Sequence, residues 1–125
     1  MDIQQIAFRT HNPLGPYAAG DTEVWYMRDE FFHDGIMGFS RVKAQGRIPD
    51  PQALNKSHIL LGTIQESDPN GIYHLMQGEQ WSPNGEAREL IREKKLKHTS
   101  MCVGDIIVIH GRTFFVDNSG FKELT

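Results

Sequence analysis

Apolar positions along the chain change their spacing from segment to segment, and the spacing predicts the element. Residues 3–9 place Ile3, Ile6 and Phe8 in partial alternation with polar neighbours, which predicts a first strand. Residues 10–20 contain Asn12-Pro13, Gly15-Pro16 and Gly20. Missing amide donors and permissive glycines predict a loop there. Val24, Trp25, Tyr26, Phe31 and Phe32 crowd residues 23–32; their β-branched and aromatic bias predicts a strand for the first half, with a helix as the competing reading. Beyond the turn His33-Asp34-Gly35, residues 36–44 read as a further strand, since Gly38, Ser40 and Lys43 suit neither a buried nor a well-formed helix.

The second half is punctuated by a recurring start signal, a capping side chain followed by proline: Asp50-Pro51, Asp68-Pro69 and Ser82-Pro83. The side-chain oxygen accepts from an orphan amide, while proline takes the first helical position, where its missing N–H costs nothing. The first start predicts a short turn to Lys56, followed by a buried strand over 58–64 with Ile59, Leu60, Leu61 and Ile64. The second predicts a helix over 69–77, with Ile72, Leu75 and Met76 on one face and Gly78 as a left-handed cap. A Pro-Asn-Gly turn followed by a strand competes with it. The third opens the strongest helix, 83–95, with Ala87, Leu90, Ile91 and the stem of Lys94 along one face. Its acids lie early and its bases late, in accord with the helix dipole. Strands over 106–109, 113–116 and 121–124, joined at His110-Gly111 and Asp117-Asn118-Ser119-Gly120, predict a C-terminal antiparallel meander. The whole is an α+β fold: an antiparallel sheet with one main helix (83–95), a shorter one (69–77) and the meander.

At 125 residues the chain fits one domain, a strand- and loop-rich half (1–67) followed by a helix-helix-meander half (68–125). A net charge of −3 argues against a protein devoted to gripping phosphates. The lone Cys102 and an N-terminus without a signal-peptide layout predict a cytoplasmic setting. The longest apolar run, Ile106-Ile107-Val108-Ile109, is far short of the roughly 18 residues a membrane span requires.

Candidate chemistry is sparse. Six histidines are present, but none pair at i,i+4 and no Cys or carboxylate stands at finger-like spacing. The sequence therefore implies no metal and no cofactor. Cys102 with His98 or His110 can be drawn as a thiolate–imidazole pair, yet no acidic orienter is recognisable beside them and a small core residue is the plainer reading. No catalytic residue is assigned, and no enzyme. Arg88, Arg92 and Lys94 on the basic helix, with Lys95, Lys97 and His98 beyond, offer a nucleic-acid face interleaved with Tyr73 and Trp81. Glu86, Glu89 and Glu93 dilute that charge, which favours a solvated face. In the corner at residues 81–86, Ser82 is expected to cap the helix and Trp81 to anchor the entering chain; a ligand pocket with Glu79 and His98 is the alternative.

The segments Met76-Gln77-Gly78-Glu79-Gln80-Trp81-Ser82-Pro83-Asn84-Gly85-Glu86-Ala87-Arg88, His98-Thr99-Ser100-Met101-Cys102-Val103-Gly104-Asp105 and Gly120-Phe121-Lys122-Glu123-Leu124 resemble the YodL-like domain of small phage, plasmid and integrative-element proteins, and Phe8-Arg9 with Gly15-Pro16-Tyr17 resembles an opening common in phage-encoded proteins. The resemblance covers about the last half of the chain. It implies a mobile-element accessory protein, placed in the host cytoplasm, that acts by occupying a host protein, host-defence inhibition included. Tyr17, Trp25, Tyr26, Phe31 and Phe32 exceed what one small core is expected to hold, so exposed members of this set are the candidate interface anchors. A nucleic-acid-binding module is the first alternative and a small metal or thiol enzyme the second. No membrane partner is expected.

Overall fold

The computed structural model describes residues 18–77 and 86–125. Its elements are β1 (Ala18–Met27), α1 (Asp29–Gly35), α2 (Phe39–Ala44), a single 3-10 turn (Leu54–Lys56), β2 (His58–Ile64), α3 (Pro69–Leu75), α4 (Glu86–Glu93), β3 (Ile106–Ile109), β4 (Arg112–Val116) and β5 (Phe121–Leu124). The strands form one antiparallel sheet in the order β2-β1-β3-β4-β5. The α+β class and the C-terminal meander therefore stand, and β1 joins the meander to β2.

Helices cover both faces of this sheet. Val24, Tyr26, Leu61, Ile64, Ile107 and Ile109 face Ile72 and Met76 from the α3 region and Leu90 and Ile91 of α4. The alternate residues Met27, Ile106 and Phe115 face Phe31 of α1, Val42 of α2 and Leu54. Burial on both sides explains why β3 is apolar at every position instead of alternating.

The second helical layer corrects the expectation of a strand over 36–44. Gly38 turns the chain at φ 105°, and Phe39–Ala44 then coils. Its cap comes from far along the chain: the Phe39 amide donates to Asp117 Oδ1 at 3.0 Å, while the Phe39 ring meets the edge of Phe115 at 5.6 Å. Residues 23–32 divide between the two competing readings, strand through Met27 and helix from Asp29. Ala18–Gly20, expected in a loop, belong to β1. The expected strand over 3–9, the Gly78 cap and the corner at 81–85 lie outside the described residues.

Asp68 caps α3 through its side chain, accepting from the Asn70 amide at 3.3 Å with Pro69 in the first turn, as the start signal predicts. The helix closes at Leu75, two residues before the expected end. The main helix stops at Glu93 instead of continuing to 95. Lys95 adopts a left-handed φ of 58°, and the Lys95 and Leu96 amides return to the Arg92 and Ile91 carbonyls at 3.1 and 2.9 Å. This is a Schellman closure with lysine where glycine fits best. No helix among the described residues is long and apolar enough to cross a membrane.

Two stability changes of opposite sign follow. Leu90, 3% exposed beneath the sheet, is expected to lose about 2–5 kcal/mol on Leu90→Ala. Lys95→Gly is expected to gain about 0.5–1 kcal/mol by removing left-handed strain. Urea denaturation of the two variants beside the parent chain measures both.

Candidate functional site

The sharp turn from Met101 to Asp105 carries the one fully buried carboxylate among the described residues. Gly104 sits at φ 102°, and a Cβ there would lie 2.7 Å from the Gly35 carbonyl carbon, so neither the dihedral nor the space admits a side chain. The close approach of the two glycines brings Asp105 against the end of β1. Asp105 Oδ1 accepts from the Met27 amide at 2.9 Å, and Oδ2 accepts from the Cys102 amide at 2.9 Å. His98 Nε2 lies 2.8 Å from Oδ2 and 3.1 Å from Oδ1. Every contact gives the buried charge a donor, which such a charge requires.

His98 is itself clamped. Its ring stacks on Tyr26 at 4.5 Å with planes 14° apart, and Phe32 tilts against it at 5.4 Å. The Tyr26 hydroxyl donates to the Thr99 carbonyl at 2.7 Å; burial first, and then the Asp105 charge, holds its ionisation well above the usual range. His98 Nδ1 is buried and has no hydrogen-bond partner among the described residues.

On the far side of Gly104 stands a second histidine, His58, fully buried. Its Nε2–H donates to the Gly104 carbonyl at 2.7 Å, and Nδ1 lies 2.7 Å from Ser57 Oγ. That pair of partners suits the neutral ring. Burial, its largest cause, lowers the His58 pKa to about 4.

The residues Cys, His and Asp invite comparison with a thiol nucleophile, but their order is wrong. In such a triad the imidazole lies between thiol and acid. Here Asp105 contacts both His98 and Cys102, and the imidazole nitrogen is engaged by the carboxylate. Burial, then the adjacent Asp105, pushes the Cys102 thiol far above its ordinary range, so the sulfur stays protonated. As potential ligands the same three residues each offer one atom, all within 4.8 Å of one another. The expectation that no acidic orienter lies near Cys102 is thereby corrected. The visible sign was His98-x3-Cys102-x2-Asp105, read in the sequence as a helix end, a core cysteine and a strand start.

A second feature lies on the sheet face that α1 and α2 leave partly uncovered. Cross-strand pairs align Glu23, Val108 and Thr113 in a row over β1, β3 and β4. With Trp25 they line a cleft of about 380 Å³ whose other wall is residues 51–55. Trp25 Nε1 donates to Glu23 Oε1 at 2.8 Å, which holds the indole and the carboxylate side by side.

The candidate aromatic set separates by burial. Tyr26 and Phe31 are 0% and 1% exposed, core residues and not interface anchors: Tyr26 packs in the core covered by α3 and α4, and the second helical layer makes room for Phe31. Phe32 is half-buried against His98, and half-buried Trp25 lines the cleft. Tyr17, Glu79, Trp81 and Ser82 lie outside the described residues. His98, placed in a possible pocket with Glu79, turns to Asp105. Arg88 and Arg92 are exposed and Lys94 is partly buried, with exposed Glu89 and Glu93 between them. Asp105, His58 and Glu23 received no functional reading from the sequence.

Asp105→Ala would strand two backbone amides and the imidazole, and a loss of at least about 3 kcal/mol is expected in urea melts. His58 adds a pH dependence of definite sign. Its folded pKa is depressed, so below the unfolded value the unfolded chain binds a proton that the folded chain refuses. Stability present above about pH 6.5 is therefore lost as pH falls toward about 4, by about 3 kcal/mol. Urea melts across this range are expected to show a shallower decline in His58→Gln than in the parent chain. No family model, curated protein or solved structure matches the chain.

Proposed function

We propose that this chain is a mobile-element accessory protein that binds a host protein without catalysis, through the cleft of Trp25, Glu23, Val108 and Thr113. The carrying observation is the cleft itself: about 380 Å³, within the range of small recognition pockets, with an aromatic face and a carboxylate presented together. Glu23 is the one charged lining residue among the described residues, so the occupant the cleft suits is a basic side chain, lysine or arginine, projecting from the partner.

The chemistry elsewhere supports binding over turnover. Asp105 is hydrogen-bonded to two backbone amides and His98, so His98 Nε2 faces the carboxylate and not the Cys102 thiol, which burial keeps protonated. The likeness of Ser100-Met101-Cys102-Val103-Gly104-Asp105 to the YodL-like domain supports the mobile-element origin. Inhibition of a host defence complex is one form that such occupancy takes.

The test is capture of a host protein from lysate at fixed stoichiometry, with and without nuclease. Trp25→Ala and Glu23→Lys are expected to weaken capture at least about tenfold, roughly the 1–2 kcal/mol of an aromatic anchor, with the fold retained by circular dichroism. Cys102→Ser and His110→Ala are expected to leave capture intact. Capture lost on nuclease treatment and on Arg92→Ala would favour the nucleic-acid module instead; complete loss of activity in a folded Cys102→Ser chain would favour the enzyme.

A further inference from the structure

We propose that His98, Cys102 and Asp105 form a binding site for a divalent transition-metal ion, zinc being the ion that this donor set suits. Imidazole nitrogen, thiolate sulfur and carboxylate oxygen are the ligands zinc takes in proteins, and three such ligands with a fourth position for water make a complete coordination shell. The ligand atoms lie within 4.8 Å of one another. One turn, residues 98–105, supplies all three, so no distant segment has to move for them to converge.

The surroundings are those of a prepared site. A ligating carboxylate is normally fixed by hydrogen bonds of its own. Asp105 has them, from the Met27 and Cys102 amides at 2.9 Å each, one on each oxygen, which leaves a further lone pair on Oδ2 toward His98. The imidazole is oriented by Tyr26 and Phe32. Asp105 is fully buried, and a dication balanced by one carboxylate and one thiolate leaves the buried cluster neutral.

The proton accounting is simple. Metal entry replaces the Nε2 proton that now lies between His98 and Asp105. That proton passes to Nδ1, whose lone pair has no partner among the described residues. The Cys102 thiol proton leaves to solvent as the Sγ–metal bond forms, and no electron is transferred. The 2.8 Å separation of Nε2 and Oδ2 opens by about 0.5 Å to accommodate two bonds of about 2.0–2.1 Å at a tetrahedral angle. This site is independent of the cleft and of the partner it binds.

The probes are Co²⁺ and Zn²⁺ added to the full chain. Co²⁺ is expected to produce a thiolate-to-metal charge-transfer band that saturates at one equivalent and is displaced by Zn²⁺. Cys102→Ser is expected to abolish the band. Zn²⁺ affinity, measured by competition with a chromogenic chelator, is expected to fall at least about tenfold in Cys102→Ser and in His98→Gln, and to stay within about twofold in His110→Ala. Absence of the band in the parent chain at excess Co²⁺ overturns the proposal, whatever the variants do. So does a Zn²⁺ affinity equal in the parent and a folded Cys102→Ser chain. Host-protein capture by Cys102→Ser is read separately, so failure of the metal site and failure of the binding cleft are distinguishable.

Discussion

A single carboxylate, Asp105, organises the junction on which both faces of this protein depend. It lies fully buried at the point where β1 ends and the turn into β3 closes, and it bonds the backbone of both. A buried charge without donors is costly, so the chain can place Asp105 there when the Met27 amide, the Cys102 amide and His98 arrive together. That requirement couples two stretches of sequence, the end of β1 and residues 98–105, separated by up to 78 positions. Gly104 makes the arrangement possible sterically, since its missing side chain lets the turn close on Gly35, and its carbonyl is taken up by His58.

From this junction the two layers follow. With β1 held against β3, alternate residues of the central strands face opposite ways and each set requires a helical cover. The α3 and α4 helices complete one core, and α1 and α2 complete the other. The second cover is shorter than the sheet, and the uncovered remainder is the cleft beside Trp25. The proposed recognition surface is thus a by-product of how the sheet is roofed, whereas the His98–Cys102–Asp105 cluster belongs to its structural hinge. One is a surface that a partner can reach; the other is a buried group whose chemistry is restrained by its own hydrogen bonds.

Both histidines at the junction show how tertiary placement sets side-chain chemistry. His58 bonds a carbonyl, is sealed from water and is kept neutral. His98, forty residues later, bonds a carboxylate and stacks on an aromatic ring. Identical in sequence, they differ through what the fold brings to each nitrogen.

The sequence by itself determined the elements whose signals are local. Asp68-Pro69 carries its own cap, so the start of α3 was legible; the 58–64 run shows its strand character in its own apolar residues, and the meander turns state their pairing within a few residues. What tertiary structure decided are the features whose partners lie far along the chain. The α2 helix takes its cap from Asp117, so residues 36–44 on their own resembled a strand. Tyr26 and Phe31 looked surplus to a one-sided core; Tyr26 fills the core beneath α3 and α4, and Phe31 became interior because a second layer of helices covers the other face. Asp105 looked like an ordinary strand-start acid, because nothing local announces a carboxylate that will be satisfied by an amide 78 residues upstream. Short-range hydrogen bonds and periodicity are written in neighbouring residues; burial and long-range donors come into being when the layers meet.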